Sequence, residues 1–239
     1  MKVVAGVDSF KGSLSSVNAN LSVEKGIKSV NPHAEVKSFV MADGGEGTVE
    51  TLVDGMQGRL VQTRVTGPLG HSIDAAYGLV TDEQLAIIEI AAACGLPLLN
   101  AKELNPLVTT TYGVGELINH AYDQGARKFI IGLGGSATND GGVGMLQALG
   151  FTFNDAEGAP VEYGGGALLQ IHSISPTDSS EKFKDCDFRV ACDVSNILYG
   201  EHGASYVFGP QKGADRDMLK VLDAGLKHYA ELTLSLIHI

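Results

Sequence analysis

The chain has 239 residues, 44% of them apolar and 19% charged, enough for one large or two modest domains with real cores. Its net charge of −11 comes with no basic stripe, which argues against a nucleic-acid partner but allows a small anion held by local N–H groups and a few lysines. Cys94, Cys186 and Cys192 form no C-x-x-C pair, so a disulfide framework or zinc site is not expected and a reducing cytoplasm is. The N-terminal apolar run is too short for a signal peptide, and nothing reaches the length of a membrane span.

Taken in order, Val3 to Val7 reads as a buried strand ending at Asp8. A loop, Ser9-Phe-Lys-Gly-Ser13, leads into a helix from about Ser15 to Val30, with Leu14, Val17, Leu21, Val23, Ile27 and Val30 as its apolar face. Asn31-Pro32 stops it. Val36 to Met41 is a second strand, Ala42-Asp-Gly-Gly-Glu-Gly-Thr48 its loop, and a helix starts at Val49. This β-loop-α-β-loop-α opening puts a polar loop at the carboxyl end of each strand, where ligands sit in open parallel sheets. Arg59 to Thr66 and Ile73 to Val80 are strands joined by Gly67-Pro-Leu-Gly70, and Leu85 to Ile90 is another. This denser β region marks a second domain from about residue 67. Thr109 to Gly115 is polar and glycine-rich, with a helix continuing through Glu116 to Tyr122. Phe151 to Phe153 is a strand before a hairpin turn, and Phe188 to Cys192 a buried strand ending in Asp193. Asn196 to Gly213 is a loop, and a last helix covers Asp215 to Thr233. The ending Leu234-Ser-Leu-Ile-His-Ile239 looks like the translation of a transposase end used in preparing sequencing libraries, so 234–239 is expected to be a scar with the gene continuing beyond it.

The central stretch is Lys128 to Gly150. An apolar strand, Phe129 to Leu133, runs into the glycine turn Gly134 to Gly142, then into a helix with Met145, Leu146 and Leu149 at helical spacing. Strand, glycine turn and helix together suit a phosphate: glycines admit positive φ, so N–H groups point at the anion, and the helix start adds partial positive charge. Gly134, Gly135, Ser136, Thr138, Asn139 and Asp140 are therefore the expected phosphate-binding residues. A carboxylate at Asp140 suits such a cradle if a cation accompanies the phosphate. Asp43 and Glu46 are candidate Mg²⁺ ligands. Lys11 and Lys212 are candidate point charges on a phosphate or a carboxylate. Each has a plainer alternative: Asp8 and Asp43 as helix caps, Lys11 as a solvated loop lysine, Asp193 as the cap of a turn. The histidines show no ligand spacing.

Five motifs then occur in order: Asp8-Ser-Phe-Lys-Gly-Ser13, Ala42-Asp-Gly-Gly-Glu-Gly-Thr48, Gly67-Pro-Leu-Gly70, Gly134-Gly-Ser-Ala-Thr-Asn-Asp-Gly-Gly142 and Gly209-Pro-Gln-Lys-Gly-Ala214. With them the sequence resembles the bacterial type I glycerate kinases over residues 1 to about 233. The resemblance implies an α/β protein of two domains: a parallel-sheet, Rossmann/flavodoxin-like domain, incomplete here (1–66), and a second α/β domain inserted into it (67–213). Helix 214–233 then leads back toward the first. It implies ATP- and Mg²⁺-dependent phosphorylation of a hydroxyl of D-glycerate. Asp193 would be the general base with Asp8 the alternative, Lys11 and Asp43 would also be catalytic, and Asp8, Glu46 and Lys212 would contact substrate. Asn196-Ile-Leu departs from the family's Asn-Pro-Leu, and the family's C-terminal part, with a further Gly-Glu-Gly loop, is not in this sequence. Two other readings stay open: an NAD(P)-dependent oxidoreductase, since Gly132-Leu-Gly-Gly-Ser-Ala137 fits G-x-G-x-x-G/A with Asp155 downstream, and an inactive metabolite-binding fragment.

Overall fold

The structure is a computed structural model and describes all residues except Ser9, Lys11, Gly12, 42–46, Asp193 and 238–239. Strands β1 (Lys2–Val7) and β2 (Glu35–Val40) pair in parallel across helix α1 (Ser16–Val30). Helix α2 (Thr48–Gly55) leads to β3 (Arg59–Thr66), β4 (Ser72–Val80) and β5 (Leu85–Glu89). A short helix α3 (Ala91–Cys94) and a longer α4 (Tyr112–Asp123) cross over to β6 (Lys128–Gly132). Then come α5 (Val143–Ala148), β7 (Phe151–Asn154), β8 (Ser173–Pro176), β9 (Asp187–Ala191), α6 (Ala204–Phe208) and α7 (Arg216–Ile237). The main sheet has the order β3-β4-β5-β6-β9, with β3, β4 and β5 antiparallel to their neighbours in turn and β5, β6 and β9 parallel. β7 and β8 form a separate antiparallel pair.

The apolar runs explain this arrangement. β5 is buried on both faces, as strands flanked by helices must be. Ala86 and Ile88 join a core with Tyr77, Leu117, Ile118 and Phe129 under α4, while Leu85 and Ile87 pack with Val49 and Val53 of α2 on the other face. A third cluster, with Phe153, Leu168, Ile171 and Leu226, seats α7. Among the described residues no helix is long and apolar enough to cross a membrane.

β3, at the end of the stretch 1–66, is hydrogen-bonded along its full length to β4, and α2 packs on the same sheet. Three sequence expectations need correction. The apolar face of α1 is not its buried face. Val17, Leu21, Val23 and Val30 are exposed, and Ser16, Ala19 and Asn20 face inward. Asn20 donates to the carbonyls of Val7 and Phe39, and Ser16 Oγ donates to Val7 and accepts from Met41 N–H. A polar seam therefore joins α1 to the carboxyl ends of β1 and β2.

Second, the helix expected over Glu116 to Tyr122 already starts at Tyr112, so Gly113 and Gly115 belong to α4. A Cβ on Gly115 would lie 2.3 Å from the Met145 carbonyl, and one on Gly144 would lie 2.2 Å from Thr110 Oγ1. These glycines let α4 and α5 approach closely. Third, the expected loop Asn196 to Gly213 contains α6 and a 3-10 turn at Pro210–Lys212.

The β1–β2 pair is the weakest part of the described chain. Two strands do not make an independently stable sheet, and Val4, Phe39 and Val30 are 72%, 46% and 87% exposed. Limited proteolysis should cut first within residues 1–47 and leave a resistant piece beginning near Thr48, identified by mass spectrometry of the fragments. Early cuts C-terminal to Thr48, with 1–47 intact, would overturn this ranking of local stability.

Candidate active site

The parallel strands end together. Glu89 and Gly132 are in register, as are Gly132 and Ala191, so the loops after β5, β6 and β9 leave one edge of the sheet. The chain after β6 divides into two halves of different character. Leu133 and Gly135 are exposed and Gly134 and Ser136 partly so, whereas Ala137 to Asp140 are buried.

The outer half is built against α3. Leu96 N–H donates to the Gly135 carbonyl, and Ala137 N–H donates to that of Cys94. Gly135 has φ +74°, with Ala91 Cβ 3.3 Å from where its own Cβ would stand, so a side chain is disfavoured on two counts. Among the described residues, no acceptor takes the N–H groups of Gly134, Gly135 or Ser136. Successive N–H groups turned one way around a positive-φ glycine form an anion-binding concavity.

The inner half holds the loop in place. Asn139 Nδ2 donates to Ser205 Oγ at 2.9 Å, and Thr109 Oγ1 donates to the Ala137 carbonyl at 2.8 Å. Asp140, 2% exposed, has both oxygens occupied. Oδ2 accepts from Thr111 N–H (2.9 Å), Thr111 Oγ1 (2.8 Å) and Gly144 N–H (3.3 Å), while Oδ1 accepts from Gly142 N–H (3.1 Å). The start of α5, expected to lend its charge to a phosphate, is thus filled by the protein's own carboxylate.

Lys212 comes to the same loop from far along the chain. Its Nζ donates to the Thr138 carbonyl at 2.6 Å and to Ser136 Oγ at 3.1 Å, and the residue is only 8% exposed. The turn that carries it ends at Gly213, with φ +93°, where a Cβ would lie 2.4 Å from the Leu104 carbonyl. Burial draws the Lys212 ammonium below the usual lysine pKa, with Cys94 and Asp140 pulling the other way. Cys94 is fully buried, and burial pushes its thiol up to about 12, with Asp140 adding to the effect.

Of the remaining expected site residues, Asp8 is exposed immediately after β1. Lys11, Asp43, Glu46 and Asp193 lie outside the described residues. The sequence reading did not single out Glu89 for a role. Its Oε1 accepts from Val49 N–H at 2.9 Å, directly after the 42–46 segment. Burial raises its pKa, as does neighbouring Glu50, against the N–H groups of Val49, Thr48 and Gly47. The available signal was its place, an acid closing an otherwise apolar strand.

Comparison with known proteins agrees with this layout. A family model described as the glycerate kinase family matches residues 3–238. A glycerate kinase of Bacillus subtilis (strain 168) is 50% identical over 232 residues, which is 97% of this chain and 61% of the relative. A glycerate 2-kinase of Escherichia coli (strain K12) is 48% identical over 239 residues, covering 100% of this chain and 63% of that one. A solved structure from Salmonella typhimurium LT2, bearing the provisional name glycerate kinase 2, superposes with a TM-score of 0.89 at 47% identity. It is matched by 100% of this chain over 64% of its own length. The chain therefore spans a little over three-fifths of the length of these relatives. On the family match over almost every residue, the chain belongs to the glycerate kinase family.

Proposed function

We propose that this chain carries the phosphate-binding and substrate-binding machinery of a cytoplasmic enzyme that transfers the γ-phosphoryl group of ATP to a hydroxyl of D-glycerate. The observation that carries the reading is the outer glycine loop: three consecutive N–H groups, at Gly134, Gly135 and Ser136, without an acceptor among the described residues, at the carboxyl edge of parallel strands. The names of the relatives supply the substrate class.

Phosphoryl transfer asks a protein mainly to position reactants and neutralise charge. In this reading the Gly134–Ser136 amides receive phosphate oxygens, and Thr138, Asn139 and Asp140 hold the loop behind them. Asp43 and Glu46 would hold Mg²⁺, which when bound neutralises phosphate oxygens. Lys11 would offset developing negative charge. Asp193, with Asp8 as the alternative, would take the proton of the attacking hydroxyl. Lys212 would act on the loop through Ser136 and Thr138.

The test is ADP release with ATP, Mg²⁺ and D-glycerate. It should be run on this chain alone and on this chain fused to the part of the Bacillus subtilis relative that it does not match. We expect turnover with D-glycerate and much less with glycerol. Equal turnover of glycerol would remove the carboxylate from the reading, and no ADP release from either protein would remove the kinase.

A further inference from the structure

Helix α2 begins in an unusual way. Gly47 stands at its cap with φ +89° and offers no side-chain oxygen. The N–H groups of a first helical turn need acceptors, and a local Ser, Thr or Asp normally provides one. Here the acceptor comes from 40 residues away, as the Glu89 carboxylate on Val49 N–H, with the N–H groups of Thr48 and Gly47 also facing it.

The body of α2 is fixed independently. Val49 and Val53 pack on Val80, Leu85 and Ile87, and Gly78 makes room for Val53. The entry to α2 is what Glu89 controls. Glu89 is also in register with Gly132, and Ile90 N–H donates to the Gly132 carbonyl at 3.1 Å, immediately before the outer glycine loop. One side chain thus touches the segment that follows 42–46 and grows from the strand end that abuts Gly134–Ser136.

We infer that Glu89 is a positioning residue, which holds the start of α2, Gly47 to Val49, at a fixed place relative to the end of β6 and the Gly134–Ser136 loop that follows it. This rests on the kinase reading for its catalytic meaning but not for its geometry. The Glu89 carboxylate fills the start of α2, so that helix end orders the protein and is not offered to the substrate.

The test compares Glu89→Gln and Glu89→Ala with the unchanged chain by amide hydrogen exchange. Glutamine keeps one acceptor oxygen and loses the charge. Exchange at 47–49 should quicken about tenfold in Glu89→Ala and by less in Glu89→Gln, with β5 and β6 amides unmoved. Unchanged exchange at 47–49 in both variants overturns the proposal, whatever the activity of the protein. In the fused, active form, the Mg²⁺ concentration for half-maximal rate should rise in the same order, with Glu89→Gln between the parent and Glu89→Ala. A merely structural cap would lower the melting temperature and leave the Mg²⁺ requirement where it was. A Glu89→Gln rate as low as that of Glu89→Ala, with slow exchange retained, would instead assign Glu89 to proton transfer. Absence of ADP release in the parent would defeat the kinase reading, and the exchange result would still decide the role of Glu89.

Discussion

Replacing Asp140 by alanine should destabilise the chain by about 3–5 kcal/mol, the range for breaking a buried, charged hydrogen-bond network. The carboxylate accepts from four donors, and three of these, Thr111 N–H, Thr111 Oγ1 and Gly144 N–H, are buried. Alanine leaves them without an acceptor where water does not easily reach, and each such group costs about 1–3 kcal/mol. The damage also spreads, because Thr111 Oγ1 itself accepts from Met145 N–H. Asp140 and Thr111 together fasten the start of α4 to the start of α5. Asparagine should be milder, since one oxygen remains, although its NH₂ group would meet N–H donors. Urea denaturation with an unchanged m-value is the measurement. A loss below about 1 kcal/mol would show that the donors find other partners, and would return Asp140 to the list of ligand contacts.

Lys212→Met should do the reverse, sparing the fold and injuring the chemistry. Methionine fills a similar volume and removes a buried charge; the stranded Thr138 carbonyl offsets that gain. The net change in stability should stay within about 1 kcal/mol near neutral pH. The loop, however, loses its tie at both Ser136 and Thr138. If the tie aligns the outer amides with phosphate, kcat/KM should fall about 30- to 150-fold, equivalent to about 2–3 kcal/mol of transition-state stabilisation. An activity within threefold of the parent would show that the loop keeps its shape without the lysine.

The pH dependence supplies a second readout of the same residue. Burial lowers the Lys212 pKa in the folded protein below the ordinary value of 10.5. Between the folded pKa and 10.5 the unfolded chain therefore binds more protons than the folded one, and stability contributed by this group rises with pH. Comparing the parent with Lys212→Met across the alkaline range should isolate that rise, because the methionine chain lacks it.

Much of this arrangement was legible in the chain itself. Apolar runs of the right length marked β1, β2, β5, β6 and β9, and the glycines after Phe129 to Leu133 marked the turn between β6 and α5. Partnerships across distance were not legible. Nothing near Asp140 says that its donors lie at Thr111, and nothing near Val49 says that its acceptor is Glu89. Such pairs exist only once strands are in register. The α1 face was misread for a related reason: apolar periodicity shows which side of a helix is greasy, but what lies beside the helix decides which side is covered. Here Asn20 and Ser16 face inward because the carbonyls of Val7 and Phe39 and the N–H of Met41 need partners. The glycines of α4 were ambiguous because close helix packing and ligand approach ask for the same residue.

The span between Ser136 and Lys212, 76 positions apart in sequence, also sets an order of events in folding. The β3-β4-β5 meander closes through short turns and can form early, whereas parallel pairing of β5 with β6, and of β6 with β9, must wait for long crossovers to close. The turn bearing Lys212 arrives later still. On a ribosome, the glycine loop emerges and its strand can dock well before the residue that locks it has been synthesised. The glycine loop is thus fastened by a residue made 76 positions after Ser136, and a nascent chain stalled before Lys212 would carry the sheet without that tie.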